Sequence, residues 1–550
     1  MRARLVAGVR EGDLAVICLA TAAAVSGVIL LDLNSQLTFI SDEWELLLNR
    51  RGSSLGDFLD PFHEHIVLAP VVIYKLLLAV FGMGSAMPYQ VVAIAVFLLS
   101  AVLLFLHLRP RIGEWPALLA AIMVLFLGAA FEDLLFAFQV GYFGSVAAGL
   151  GMLIALDRGD RKGDRIACAL LAFSLAFSST GLCFAAGALA HVILSPRRRA
   201  GRLYVALLPI ELWGIWWLGW GHTAESSFSL GNLDQVPEYV FDGAAAGVVS
   251  LLGLATGDGS EPDQPHLIYG QILLVAALAL AVLRVRRQER ISTDLMVVLA
   301  IALSFWVLAA LNVTAERLPT SSRYQYPAAV FLLLVAGELL RGVRIGRSAT
   351  LVAAAVITLT SWGGLSLMYR EHEQRWVPSS DSLRASLAGV EIADGSVAPE
   401  FRVDFISVQT TPATYFSAVK DHGSPAFSEA ELLDRPEIDR QYADGTTAAA
   451  LGLALTPAAG AQNSGCETLD AGGTVLLTAG TATFTNLGRS DAEILLGRFS
   501  AGLPVGLGPL PPGEPGAALE IPADRSTRPW RLGFGGEGPV EVCATPGAAE

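Results

Sequence analysis

Asp42 and Glu43 stand side by side at the head of "DEWELLLNRR", and His63, Glu64 and His65 follow in "PFHEH". The interval from Phe39 to Pro70 holds six carboxylates, two His and two Arg, and long apolar runs flank it. Carboxylates and imidazoles are the side chains that most often move protons to and from a reacting group. Arg and Lys are the ones that hold phosphate, Arg bidentately and Lys as a point charge. For "HEH" three roles are open: ligating a metal, holding a phosphate, or stabilising local structure. Residues two apart do not share a helical face, so a metal there would need a ligand from elsewhere. A polar cavity role is the better reading.

The elements that carry these residues are membrane-grade. The chain has 550 residues, 53% hydrophobic and only 16% charged, against about a quarter charged in soluble domains. Apolar segments lie near 13–33, 66–82, 88–108, 116–130, 140–156, 166–178, 181–194, 203–220, 268–283, 295–311, 327–340 and 349–368. Several approach the roughly 20 residues needed to cross a bilayer. The texture changes near Tyr369. From 370 to 550 there are 12 Lys/Arg and 24 Asp/Glu, so this stretch is −12 of the chain's −14. The acidic balance argues against nucleic acid as a partner.

The basic residues set orientation. Six clusters, among them "RPR" at 109–111, "DRGDRKGDR" at 157–165 and "RGVRIGR" at 341–347, hold 20 of the membrane part's 25 Lys/Arg. With these in the cytoplasm, the outer connections are 34–65, 131–139, 221–267 and 312–326, plus everything after 368. That arrangement needs an odd number of crossings, so 11 are expected and 13 are possible. The segment at 66–82, which contains Lys75, is expected to dip in without crossing, and 166–194 is short for two crossings. The stretch 236–256 reads as an interfacial helix. The first apolar run is expected to be a retained helix rather than a cleaved signal. The expected fold is mainly α. A polytopic transmembrane bundle spans 1–368, a mixed extracytoplasmic segment 369–465, and a β-sandwich-like domain 466–550. The expected location is the plasma membrane, multi-pass, with a cytoplasmic N-terminus.

Five Lys/Arg of the membrane part fall outside the basic clusters: Arg50, Arg51, Lys75, Arg317 and Arg323. Arg317 and Arg323 sit in "NVTAERLPTSSRYQYP", the last outer connection. Lys75 lies in an apolar segment, where an ionisable group is costly and faces a cavity or partner. Glu132 and Asp133 in "FEDLLFAFQ" are the second outer loop's charges. Positive charge on the outer face, close to carboxylates, suits a lipid-linked phosphate. The plain alternative for each charge is solvation of a loop or snorkelling; for Glu45, Asp57 and Asp60 it is the reading adopted. Ser41 is the expected N-cap of the helix that begins with Asp42 and Glu43. Glu211, His222, Glu225 and His266 are weaker candidates.

Taken together, the early Asp42–Glu43 pair, the second acidic loop and the late "SSRYQYP" at 321–327 resemble the GT-C class of membrane glycosyltransferases. The soluble region after the last crossing resembles that of cell-wall members of the class, and the Ala, Gly and Arg content resembles actinobacterial proteins. The resemblance implies transfer of a sugar from a polyprenyl-phosphate donor to a cell-envelope glycan or lipid acceptor, with inversion at the anomeric carbon. It implies Asp42 as general base and Glu43 as second candidate. Arg323, Arg317, Lys75 and His65 would stabilise the leaving phosphate. His63, Glu64, Glu132, Asp133 and Tyr324 would complete the site. A divalent cation is compatible with so many carboxylates. A transporter or flippase for envelope lipids and a non-catalytic scaffold that binds cell-wall polymer are the competing readings, with a glycosidase behind them.

Beyond 369, "FRVDFISVQT" from Phe401 is expected as a strand and "SEAELLDRPEIDRQYAD" as a helix capped by Ser428 with Glu431 reaching back. Short strands follow at "TVLLTA", "ATFTNL", "AEILLGRFS", "AALEIP", "RPWRLGF" and "PVEVCA". Cys466 and Cys543 bracket them and are expected to form a disulfide if the region lies outside the cytoplasm. Trp530 and Phe534 could stack on sugar, but core positions are the expected fate of both.

Overall fold

The structure is a computed structural model that describes residues 11–195, 199–255, 265–287, 291–315, 317–406, 408, 410–458 and 465–546. It is 63% helical and ends in a β-rich region. The chain divides into two compact units. The first comprises Met1–Gln36, Asn49–Leu77 and Met87–Trp376; the second comprises Leu37–Leu48, Leu78–Ala86 and Val377–Glu550.

In the first unit each apolar segment read from the sequence coincides with a helix. Among the described residues seven helices are long and apolar enough to cross a membrane, including Asp13–Asn34, Met87–Ile112 and Thr293–Leu311. Leu68–Phe81, Gly181–Leu194 and Tyr204–Gly219 are apolar but shorter. A helix satisfies its own backbone groups, which is what an apolar surrounding demands. Side chains close the exposed ends: Ser292 caps Thr293–Leu311, and Asp160 caps Arg161–Phe177. Buried hydroxyls stitch neighbours together, as where Tyr326 donates to Ser100 Oγ at 2.7 Å and Ser26 to the Leu125 carbonyl at 2.7 Å. Phe97, Phe143 and Tyr326 pack ring on ring, with centroids 5.0–5.8 Å apart.

Charges at one end of this unit pair across helices. Arg111 is buried and donates to Asp157 through both Nη atoms, at 2.9 and 2.8 Å, and to Glu338 through Nε. Arg202 takes Asp164 bidentately at 2.9 and 2.7 Å. Removing one member would strand a poorly solvated charge.

In the second unit the helices Val377–Ile392 and Glu437–Ala450 pack closely; a Cβ on Gly389 would come within 2.7 Å of the Ala443 carbonyl oxygen. The strands are β1 (Thr456–Pro457), β2 (Cys466–Leu469), β3 (Thr474–Leu477), β4 (Gly480–Asn486), β5 (Ala492–Gly497), β6 (Val505–Leu510), β7 (Gly513–Ile521), β8 (Trp530–Gly535) and β9 (Val540–Pro546). They form two open antiparallel sheets, of order β1-β7-β4-β9-β2 and β3-β8-β5-β6. One apolar cluster takes side chains from both, including Phe484, Leu519 and Val542 from the first and Ile494, Trp530 and Leu532 from the second. Trp530 and Phe534 are buried, as expected. Cys466 and Cys543 face each other across β2 and β9 and are joined by a disulfide.

Three local expectations are corrected. Among its described residues the stretch from Phe401 forms no strand: Phe405 and Ile406 lie in a turn, and Val403 and Thr410 make one bridge. The helix from Ser428 has the expected capping box, but it ends at Leu433. A second helix starts at Glu437, because Pro436 supplies no N–H and disfavours a helical residue before it. Ser41 is no N-cap; it sits at φ 46° and its hydroxyl donates to Asp42 at 3.1 Å. Glu43 instead reaches back to the Ile40 N–H at 2.9 Å, leading into a short π-helix, Glu45–Asn49.

Candidate functional site

Residues from three connections between helices, 34–65, 131–139 and 312–326, meet in the first unit. The first connection is held rigidly. Arg50 donates to the carbonyls of Asp60 and Pro61 at 2.7 and 2.8 Å, and Trp216 Nε1 donates to that of Leu59 at 2.7 Å. Lys75 donates to the carbonyls of Arg50 and Gly52 and lies 4.5 Å from the Phe58 ring centroid. Its ammonium is therefore engaged in shaping the loop. Ser54 and Asp57 form a capping box on Leu55–Leu59, and the Ser54 hydroxyl holds the Asp57 carboxyl below its usual range.

This scaffold ends in a tight turn. Phe62 and His65 exchange backbone hydrogen bonds at 3.0 and 2.9 Å, which leaves His63 and Glu64 at the tip. His63 has φ 47°, a left-handed conformation that costs an L side chain about 1–2 kcal/mol. Its imidazole is exposed and meets the Phe62 ring edge-on at 4.6 Å. Phe62 in turn packs on Phe138 of the second connection at 5.0 Å. His65 points the other way: its Nδ1 is buried with no hydrogen-bond partner among the described residues. Burial pushes its pKa down, which disfavours the charged ring.

Glu64 pairs with Arg317 of the last connection, with a second contact at 3.4 Å. Burial works to raise the Glu64 pKa, but the Arg317 hydrogen bond and the charges nearby outweigh it and leave the carboxyl below its usual range. Burial likewise opposes the Arg317 charge, and the bond from Glu64 overcomes it. The Tyr239 hydroxyl donates to the Arg317 carbonyl at 3.2 Å.

The second pair forms alongside. "SSRYQYP" enters the helix Gln325–Leu339 through a 3-10 turn, Ser322–Tyr324. Ser322 Oγ donates to the Ala129 carbonyl at 2.7 Å and accepts the Glu132 N–H at 3.2 Å. The Arg323 N–H donates to Glu132 Oε2 at 3.1 Å, and its Nε lies 3.6 Å from the same oxygen. Gly128 lets this loop form, since a Cβ there would lie 1.7 Å from the Gly364 carbonyl oxygen. Asp133 is 0% exposed. Tyr142, Tyr239 and Tyr324 all lie within electrostatic reach of both guanidinium groups.

Glu64, His65, Glu132, Asp133, Arg317, Arg323 and Tyr324 are thus brought together, with His63 at the rim. Lys75 serves the first loop. Asp42 and Glu43 belong to the other unit; Glu43 is buried and tied to Ile40. Glu211, His222 and Glu225 are exposed, and the side chain of His266 lies outside the described residues. Tyr142 and Tyr239 were not singled out from the sequence. The available signal was an aromatic hydroxyl in the first turn of an apolar helix, a position typical of a membrane–water interface. Among the described residues, the one group of His, Cys, Asp and Glu close enough to hold a metal is Cys466, Glu541 and Cys543, and its two Cys are spent in the disulfide. The turn splays His63 and His65 apart and commits Glu64 to Arg317, so "HEH" does not form a metal trio.

Chemically, the cluster offers two guanidinium groups, each held by a single carboxylate, among phenolic hydroxyls. No family model and no curated protein matches the chain.

Proposed function

We propose that this protein is a membrane glycosyltransferase of the GT-C kind, which moves a sugar from a polyprenyl-phosphate donor to a cell-envelope glycan or lipid on the outer face of the membrane. The observation that carries the reading is the meeting of Glu64–Arg317 and Glu132–Arg323, drawn from three connections far apart in sequence. Arg317 and Arg323 would grip the phosphate, which competes with the two carboxylates for planar, bidentate donors. As the glycosidic C–O bond breaks, charge grows on that phosphate, and fixed donors stabilise it most at that moment. The reading carries 11 crossings and a β-sandwich outside the cytoplasm, with the cross-strand disulfide in support. Asp42 is the proposed base, on the sequence alone; Glu43 is weakened by its engagement with Ile40.

The test uses the full chain in nanodiscs. Polyprenyl phosphate should be retained by the wild type, and Arg317→Ala or Arg323→Ala should each weaken binding about tenfold or more, the scale of a lost charge-assisted pair. With a donor and acceptor that turn over, Asp42→Asn should lower kcat by about 10²–10⁴. Unaltered binding in both Arg variants would sink the reading.

A further inference from the structure

We propose that Glu541 guards the Cys466–Cys543 bridge against thiol exchange, anionic thiols above all, so that β2 stays tethered where small thiols are present. The inference does not depend on the transferase reading.

β9 alternates as a strand with one covered face must. Val540 and Val542 enter the apolar cluster of the two sheets, so Glu541 and Cys543 point to the other face. Cys543 lies directly opposite Cys466 of β2, and Glu541 opposite Thr468, which puts Cys466 and Thr468 on that same face. A carboxylate oxygen of Glu541 lies within 4.8 Å of both sulfurs. On β4, the other neighbour of β9, Thr483 stands opposite Cys543 and Thr485 opposite Glu541, and both are uncharged. Neither β2, β4 nor β9 contains a Lys, Arg or His, so no cation of these strands offsets the carboxylate.

The two sulfurs differ in access: Cys466 is exposed and Cys543 is buried. β2 is a four-residue edge strand whose sheet neighbour is β9, and the bridge is its covalent tie. Exchange therefore starts with a thiolate attacking Cys466 Sγ. A new S–S bond joins the attacking sulfur to Cys466, the old bond breaks, and its electron pair leaves on Cys543 Sγ as a thiolate. A second thiolate then attacks the added sulfur of this mixed disulfide and releases Cys466 as a thiolate. Glu541 opposes the first step at both ends. It repels the incoming anion, and it sets like charge beside the sulfur on which the leaving charge collects.

The experiment exposes the full chain in nanodiscs to 3-mercaptopropionate, an anionic thiol, or to cysteamine, a cationic one. The reaction is quenched with iodoacetamide, and the Cys466 and Cys543 peptides are read by mass spectrometry. Glu541→Gln should open about threefold faster than wild type or more with the anionic thiol, and gain less with cysteamine. Glu467→Gln removes the neighbouring carboxylate, which alternation places on the opposite face of β2; it should leave both rates close to wild type. In about 1 M salt, where charges are screened beyond about 3 Å, wild type and Glu541→Gln should converge. Two results would overturn the inference. One is a Glu541→Gln rate no faster than wild type with the anionic thiol. The other is an equal gain with both thiols that persists in salt, which is the mark of a loosened edge strand rather than of a lost charge.

Discussion

Glu64 is the residue on which the site's own stability turns. Its carboxyl ionises more readily in the folded chain than in the unfolded one, because of Arg317. A depressed carboxylate contributes stability above its unfolded pKa, and loses that contribution as pH falls through its folded one. Glu64→Gln should therefore lower stability at pH 7 by about 1–3 kcal/mol, the cost of leaving a partly buried Arg317 without its anion. The difference from wild type should shrink as pH falls through the folded pKa of Glu64, which lies below the ordinary carboxyl range. Thermal unfolding midpoints in detergent, followed from pH 7 down the acid limb, measure this; a gap that stays constant down to the pH at which both proteins unfold would show that the ion pair is not its source. At this scale the sequence was partly legible. Arg317 and Arg323 stand out because Lys and Arg are rare outside the basic clusters, and Glu132 because it and Asp133 are the charges of their connection; rarity survives without knowledge of distance. Lys75 stands out for the same reason, yet it is spent on loop carbonyls. Rarity flags a group that must have a partner, but it cannot say whether that partner is a ligand or the chain itself.

Helices in the first unit were legible because an apolar run has few ways to satisfy its backbone. Strands were legible where alternation was long, as in β4, β5, β8 and β9. β1 and β2 are too short to carry a pattern, and β6 carries Gly and Pro. What tied helix to sheet was not legible at all. Asp444 is fully buried on Glu437–Ala450. It accepts the backbone N–H groups of Arg498, Phe499 and Ser500 at 2.9–3.0 Å and the Ser500 hydroxyl at 2.7 Å. An Asp in an amphipathic helix reads as a solvated charge until the turn after β5 is folded against it. Asp444→Ala would leave buried donors unmet and should cost roughly 3–5 kcal/mol, whereas Asp444→Asn keeps one acceptor and should cost about half as much. Limited proteolysis of the full chain reads this, since cleavage after β5 should appear earlier in Asp444→Ala. Equal protease resistance in all three proteins would place the anchor elsewhere.

For the whole molecule the outstanding variable is which side of the membrane each loop faces. Two independent features bear on it. Basic residues gather at 109–111, 157–165 and 341–347, which the positive-inside rule assigns to the cytoplasm. A disulfide such as Cys466–Cys543 forms and persists in oxidising compartments. By chain-entropy reasoning, closing a loop across a separation of 77 residues stabilises the folded region by up to about 4 kcal/mol. That gain exists only where the bond can form. The two features agree if the first connection and the β-rich region are both external. Single cysteines at exposed positions decide the matter: Leu55→Cys in the first connection and Lys162→Cys in a basic cluster. With a membrane-impermeant maleimide on intact cells, Leu55→Cys should label and Lys162→Cys should label only after permeabilisation. Cys466 and Cys543 should react only after reduction. The reverse pattern would turn Arg317, Arg323 and Glu64 toward the cytosol, and a donor presented at the outer face could not reach them.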